Sequence, residues 1–413
     1  MLKSDLLEII ANGENSSVEF KRDDVRPEQL AKEIVALANL NGGLILLGVD
    51  DSGTIVGTSR QDLEAWVMDT VLGKYIHPMI LPVYEEVVVE SGKRVGIISL
   101  TQGTTKPYVV RKNGGEFIYI RLGSTTRQAT REQQMRLFQT GGLLHTEILP
   151  VSGTSLRDLS VARLEDYLLN LFGEREVPTD DLGWEQRLEG LGWVAKQPGG
   201  HHVCTVSGLI LFGRAPHRYL PQAGIRWMAF AGDSMEYQSL DDALLDGPLV
   251  GLFQGSVGGG RERIETGLIE RFEERAKPFL STDVPTVESM RRERRWHYPL
   301  EALREAIMNA LVHRDWTRMP EVEVVAYSDR IEIKSPGSLV NSMTVEKMIA
   351  GQRVPRNPHL TEVMRDYGYV DARGMGVRRK IVPLVRAATG EDARFEATED
   401  YVRVIMPRSA KES

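Results

Sequence analysis

Cysteine is nearly absent: Cys204 stands alone among 413 residues. That excludes an internal disulfide and any multi-cysteine zinc or iron–sulfur site. Long apolar runs are missing too. No stretch approaches the roughly 18 uninterrupted apolar residues of a membrane span. The start, Met1-Leu-Lys-Ser-Asp-Leu-Leu-Glu, has no signal-peptide core. A cytoplasmic chain without membrane contact is expected. No GxxxxGK[ST] loop occurs, which speaks against a motor helicase. Aromatic residues make up only 7%, and the six tryptophans are scattered, so they suit core positions better than a stacking platform. The net charge of −7 argues against a protein that coats nucleic acid by bulk attraction.

What is present is ordinary for a folded protein: 41% hydrophobic and 26% charged residues, enough for two or three domains. Residues 1–150 read as a mixed α/β domain. The spacing predicts a strand at Ser16–Lys21, a helix at Gln29–Asn39, an apolar strand at Leu44–Val49 and a turn at Asp50–Gly53. Further along come a helix at Asp62–Gly73, strands at Tyr84–Glu90, Arg94–Leu100, Tyr108–Arg111 and Phe117–Leu122, and a helix at Arg131–Thr140. Residues 151–290 read as a coupling region, mainly helical at first. Within it Leu191–Cys204 has either a winged-helix look or that of a plain connector with a hairpin. Gly251–Lys277 reads as a long helix broken at Gly258-Gly-Gly260. Adjacent His201 and His202 on a strand face opposite ways, so no metal site is expected with Cys204. Residues 291–413 form the last domain.

The stretch Glu305-Ala-Ile-Met-Asn309-Ala-Leu-Val-His313-Arg314-Asp315 carries the most chemistry. Glu305, Asn309 and His313 recur at i, i+4 and i+8 and share one helix face. Ala306, Ile307, Ala310, Leu311 and Val312 supply the apolar surface that seats it. A carboxylate, an amide and an imidazole in line suit a hydrated divalent cation and phosphate oxygens, since Mg²⁺ takes oxygen ligands and keeps several waters. The plain alternative is a surface helix with three solvated side chains. A strand pair, Val322–Tyr327 and Arg330–Lys334, follows, then a turn at Ser335-Pro336-Gly337 and later Arg373-Gly374-Met375-Gly376-Val377 opening a helix. Glycines there let backbone approach phosphate at a helix N-terminus.

In the first domain Glu14, Glu19, Asp50 and Asp51 are candidates for acid chemistry. Converging carboxylates repel unless a divalent cation joins them, and such a site activates water against a phosphodiester. The alternatives are structural: Glu19 pairs with Lys21 or Arg121, and Asp50-Asp51 shapes its turn. Lys106 to Arg136 holds seven basic residues against two acidic ones. Lys21, Arg111, Lys112, Arg121, Ser124, Thr125 and Arg127 are the candidate nucleic-acid contacts, against the reading of a solvated face and a hairpin end. A second basic knot is Arg291–Arg295.

Two resemblances follow from these motifs. Gly13-Glu14…Val18-Glu19-Phe20-Lys21, Asn41-Gly42-Gly43…Gly48-Val49-Asp50-Asp51 and Tyr119-Ile-Arg121-Leu-Gly123-Ser124-Thr125-Thr126 resemble the Schlafen AlbA-like domain over most of residues 12–140. That implies nucleic-acid binding. In nuclease members it implies a metal-dependent site for which Glu14, Glu19 and Asp50 or Asp51 match, with Glu19 and Asp50 on the metal. Trp296–Pro407 resembles the degenerate GHKL ATP-binding fold found beside such domains, in proteins described as RecG-like helicase-related or transcriptional regulators. By that resemblance Asn309 holds Mg²⁺, Glu305 orients water, and His313, Gly337, Gly374 and Gly376 belong to the ATP site. One departure stands out. The glycine turn begins Ser335-Pro336-Gly337, without the aspartate that reads adenine. GHKL relatives are often dimers, so a homodimer or higher homo-oligomer is implied. Relatives also carry a winged helix after this domain. The sequence ends at Ser413 soon after a strand at Tyr401–Met406, so that module is expected to be missing.

The expected architecture is therefore α/β (α+β): an AlbA-like mixed-sheet domain, a helical or winged-helix-like middle and a GHKL-like α/β sandwich. The expected function is nucleotide-regulated binding of DNA or RNA in transcription, stress or defence control, with ATP and Mg²⁺ held by the GHKL-like domain. The alternative is a nucleotide-gated, metal-dependent nuclease acting on transfer-RNA-like RNA or DNA.

Overall fold

The computed structural model describes residues 1–89, 92–101, 103, 105–141, 144–255, 260–285, 292–340, 343–371 and 375–409. The chain forms two compact units, one of Met1–Leu144 and one of His145–Leu339 with Met343–Ser413. Each mixes helices with sheets.

In the first unit, β1 (Val18–Lys21) is followed by α1 (Pro27–Asn39) and β2 (Gly42–Leu47). Proline in its first turn suits the helix start, where backbone N–H groups have no partner. Leu30, Ala31, Ile34 and Leu37 are fully buried. β1 and β2 pair in parallel, and β3 (Val83–Val88) and β4 (Arg94–Thr101) complete a sheet of order β1-β2-β4-β3. β5 (Tyr119–Leu122) and β6 (Thr125–Gln128) form a separate hairpin. It leads into α2 (Arg131–Thr140), started by Thr130, whose N–H donates to Gln133 Oε1 at 2.8 Å. Leu137 of α2 packs with Val109, Ile118 and Ala129, and Ile120 of the hairpin lies against that cluster.

The second unit is built on a six-stranded sheet of β7 (Gly224–Ala229), β8 (Asp241–Asp246), β9 (Val322–Ala326), β10 (Arg330–Pro336), β11 (Arg394–Ala397) and β12 (Tyr401–Pro407). Their order is β8-β7-β9-β10-β12-β11, with β7 and β9 parallel and the other pairs antiparallel. Two of these strands come from the 151–290 segment, so the sheet crosses the boundary expected near residue 290. α3 (Leu300–Val312) seats Ala302, Leu303, Ala306, Ile307 and Leu311 in one core with Val324, Ile331 and Ile333 of the sheet. α4 (Pro358–Asp366) follows, then α5, a helix of π form over Val377–Ile381 that continues as Val382–Thr389.

Before this sheet, a helix at Asp181–Gly190 leads to the hairpin Val194–Lys196/His202–Cys204 and then to a wholly buried helix, Val206–Phe212. The long helix expected over Gly251–Lys277 is not formed. Leu252–Gln254 and Glu262–Glu265 pair as an antiparallel hairpin, and the helix runs Leu268–Leu280. The reason is local. Glycine at 255, with φ +104°, turns the chain, and Gly267 N–H donating to Glu270 Oε2 at 2.8 Å fixes the helix start. Gly258 and Gly259 lie outside the described residues, as do Glu90 and Arg291.

A buried polar network anchors the end of α3. Asn357 is fully buried, and its Nδ2 donates to the carbonyls of Val312 at 2.7 Å and Arg314 at 2.9 Å. Ser335 Oγ donates to Ala310 O at 2.8 Å. Buried Glu147 accepts N–H donors from His359 at 2.9 Å and Leu360 at 2.8 Å, capping α4. Asn357→Ala leaves two carbonyls dry and unpartnered. It is expected to lower stability by about 1–3 kcal/mol, read by chemical denaturation; no change would mean water replaces the amide.

Candidate functional site

α3 carries Glu305 and Asn309 on the expected polar face, but the helix ends at Val312 and His313 caps it from outside. The Glu305 carboxylate is buried, 7% exposed. Asn309 Nδ2 donates to its Oε1 at 3.3 Å, and Lys380 Nζ lies 3.8 Å from Oε2. Burial raises the Glu305 carboxyl above its usual range. Lys380 and Asn309 oppose that rise, and Asp371 adds to it.

Gly376 sits directly on this carboxylate. Its φ of −60° and ψ of −43° are helical and open to any residue, so conformation does not call for glycine there. Space does: an added methyl would run into Glu305. The first turn of α5 thereby approaches Glu305 and brings Lys380 with it. Gly374, with Arg373, lies outside the described residues.

Glu305 and Lys380 line a cleft of about 380 Å³ with Glu301, Arg304, Tyr369 and Asp371. The Arg304 guanidinium lies over the Tyr369 ring at 5.3 Å and donates to Gly368 O at 2.5 Å. Asn309 stands one turn beyond the cleft. Its Oδ1 carries no hydrogen bond among the described residues.

Gly337 has φ +107°, and a Cβ there would lie 2.5 Å from Asp315 Cβ. The turn is stitched by Asp315 N–H to Pro336 O at 2.8 Å and Gly337 N–H to Asp400 O at 2.7 Å. An acid therefore does touch the glycine turn, but it comes from the end of α3. Asp315 Oδ1 is taken up by Thr317 N–H at 2.9 Å and Oγ1 at 2.7 Å, and Oδ2 lies 3.5 Å from Arg356. Burial, with nearby Arg356, pushes His313 down to about 4, so the imidazole is neutral near pH 7.

In the first unit the expected acids are partly assembled. Glu19 is buried, ion-paired to Arg121 at 2.6 Å and bonded to Lys21. Arg121 also reaches Glu33 at 3.5 Å, and Thr126 Oγ1 donates to Glu33 at 2.5 Å. Burial raises the Glu33 carboxyl; Thr126 opposes this and the Glu19 charge reinforces it. Burial works to lower the Lys21 ammonium, but its bond to Glu19 and the charges of Glu19, Glu33 and Glu14 leave it raised. Glu14 Oε1 accepts the Phe20 N–H at 2.8 Å.

Asp50 is not part of this cluster. Its Oδ1 accepts from Ser52 Oγ at 2.6 Å and from the N–H groups of Ser52 and Thr54, and these bonds lower its carboxyl. Asp51 is exposed beside it. Among the described residues, no group of three or more His, Cys, Asp or Glu side chains could hold a metal ion.

The basic candidates divide. Lys21 and Arg121 face acids inside the unit. Arg111 pairs with Glu116 at 2.8 Å, and Lys112 pairs with Glu28. Ser124, Thr125 and Arg127 are exposed on the hairpin. The sequence reading missed Glu33, Arg304, Asp315, Arg356 and Lys380. Only Glu33 left a signal, as one of two charged residues, with Lys32, inside the otherwise apolar Leu30–Ala38. Arg304 stands next to Glu305 on α3, and Asp315, Arg356 and Lys380 meet their partners through loops and packing that no spacing encodes.

Two segments of the chain match family models of known proteins. Residues 14–130 match the family model described as "Schlafen, AlbA_2". Residues 320–406 match the one described as "Putative ATP-dependent DNA helicase recG C-terminal". The chain thus joins a Schlafen AlbA-type domain to a RecG-type, ATPase-like C-terminal domain. Among solved structures, the DIP2311 protein from Corynebacterium diphtheriae is 22% identical, with 98% of this chain and 79% of that chain covered and a TM-score of 0.43. The N-terminal domain of a RecG-related protein from Nitrosomonas europaea is 24% identical, covering 30% of this chain and 92% of that one at a TM-score of 0.24. No curated protein matches.

Two outcomes follow. Gly376→Ala is expected to destabilise the second unit by about 1–3 kcal/mol through overpacking, and by less in a Glu305→Ala background. Additive losses in that double-mutant cycle would break the link between the two residues. His313 has a folded value below its ordinary 6.5. Its contribution to stability is therefore present above about pH 6.5 and is lost as pH falls toward about 4. Denaturation followed across that window should flatten in His313→Gln; an unchanged slope would refute the lowered titration of the imidazole.

Proposed function

We propose that this chain is a nucleotide-regulated nucleic-acid-binding protein in transcription, stress or defence control. The N-terminal unit holds DNA or RNA, and the C-terminal unit holds ATP with Mg²⁺. The observation that carries this reading is the meeting of Glu305, Asn309, Gly376 and Lys380 beside one cleft, next to the ATPase-like segment 320–406.

The side chains fit a magnesium–phosphate group. Asn309 Oδ1 is a neutral oxygen with no hydrogen bond among the described residues, and Mg²⁺ favours oxygen ligands and retained waters. Asn309 would hold the ion, which when bound supplies charge neutralisation to the phosphates. Lys380 would meet phosphate oxygen. Glu305, raised by burial, would orient a water and take its proton.

For the N-terminal unit, binding is favoured over cleavage. A nuclease needs Glu14, Glu19 and Asp50 or Asp51 turned to one cation. Glu19 instead faces Arg121 and Lys21, and Asp50 is engaged in its own turn.

Calorimetry with ATP and Mg²⁺ is expected to show binding that Asn309→Ala weakens roughly tenfold or more, as for a lost bond to a charged group. No heat with the unmutated chain would end the ATP reading. Incubation with transfer RNA, other RNA and DNA in Mg²⁺ or Mn²⁺ should leave them intact. Cleavage that disappears in Glu19→Ala would replace binding with the nuclease.

A further inference from the structure

We propose that the outer face of the β5–β6 hairpin, continued by α2, is where single-stranded nucleic acid docks. This rests on the nucleic-acid-binding reading of the N-terminal unit. It moves the docking surface away from Lys21, Arg111, Lys112 and Arg121.

The hairpin has two faces. Ile120 stands opposite Arg127, Arg121 opposite Thr126, and Leu122 opposite Thr125. Directly opposed residues share a face, and successive ones alternate. Arg121 and Thr126 therefore point together toward Glu19 and Glu33, as their bonds show. Ile120, Leu122, Thr125 and Arg127 take the other side. Ile120 lies against the cluster holding Leu137, which sets α2 beside that side.

α2 adds a matched surface. Arg131, Met135 and Phe138 fall on one helical arc. Met135 is 46% and Phe138 39% exposed, and Leu122 on the hairpin is 49% exposed. Arg127 and Arg131 are exposed and carry no ion pair among the described residues, while exposed Arg136 lies on the far flank of α2 beside Glu132. Glu132 is the acid on the exposed side of α2. Elsewhere in the unit the basic candidates already face acids: Lys21 and Arg121 inside, Arg111 on Glu116, and Lys112 on Glu28. The free positive charge of the expected basic tract thus gathers here, in a protein of net charge −7.

Charge and shape together select the occupant. Guanidinium groups answer phosphates, and an exposed ring with apolar neighbours offers a stacking surface to an unpaired base. A duplex keeps its bases stacked inside and cannot use Phe138 in this way.

The test is fluorescence anisotropy on the full chain with labelled oligouridylate, oligothymidylate and a duplex of the same length. Arg127→Glu and Arg131→Glu should each weaken binding and lower the salt slope by roughly 0.7 for each phosphate left without its guanidinium. Phe138→Ala should weaken single strands about fivefold or more at an unchanged salt slope, spare the duplex, and be rescued by Phe138→Tyr. Lys196→Glu, an equal charge change at an exposed site in the other unit, should leave affinity unchanged. If the unmutated chain binds none of the three probes, the nucleic-acid reading falls and this surface with it. If it binds and the folded variants bind equally well, only this surface is overturned. Equal loss of duplex and single strands in Phe138→Ala overturns the choice of a single strand. The two single-stranded probes tell RNA preference from DNA preference.

Discussion

A carboxylate kept out of water is the constraint around which the C-terminal unit is arranged. Glu305 projects from a helix whose other side is sunk in the core, so the helix cannot turn to release it. An isolated buried charge is costly. The surroundings answer in kind: an amide one turn on, an ammonium from α5, and a glycine that lets α5 come close enough to deliver it. That balance leaves the carboxyl raised rather than fully stabilised as an anion. A group in that condition is suited to exchange a proton with a water at a reacting phosphate.

The N-terminal unit resolves the same problem the other way. Glu19 and Glu33 are brought close by a strand and a helix, but a buried guanidinium, Arg121, comes down from the hairpin between them. The acids are thereby answered by the protein's own Arg121 and Lys21. Its consequence is structural: the hairpin is tied to β1 and α1 by its inner face. One unit keeps a buried, undersatisfied carboxylate beside a cleft, and the other uses its acids to hold a hairpin in place. This contrast is why nucleotide chemistry is assigned to one and recognition to the other.

How much of this was legible in the sequence depended on whether the feature was local. The polar face at 305, 309 and 313 follows from helical spacing, and the strand pair after it from alternation. The alternatives in which Glu19 pairs with Lys21 or Arg121 and Asp50 shapes a turn were also readable, because those partners are near in sequence or of obvious charge. Lys380 under Glu305 and Asp315 against Gly337 were not, since they meet across chain separations that periodicity does not address. The misread helix at Gly251–Lys277 has a similar cause. Its polar, glycine-broken pattern fits either state, and the pairing of Leu252–Gln254 with Glu262–Glu265 decides for a hairpin. The β7 and β8 strands join the C-terminal sheet through the parallel pairing of β7 with β9, a crossover that a boundary drawn from the resemblance over Trp296–Pro407 could not foresee.

The most direct measurement is a crystal structure of the full chain grown with a non-hydrolysable ATP analogue and Mg²⁺. The expected result is a cation about 2.1 Å from Asn309 Oδ1, as Mg²⁺ geometry requires, with phosphate oxygens near Lys380 and a water between phosphate and Glu305. Finding the analogue bound elsewhere, or Asn309 without a cation at saturating nucleotide, would contradict the assignment of this cleft.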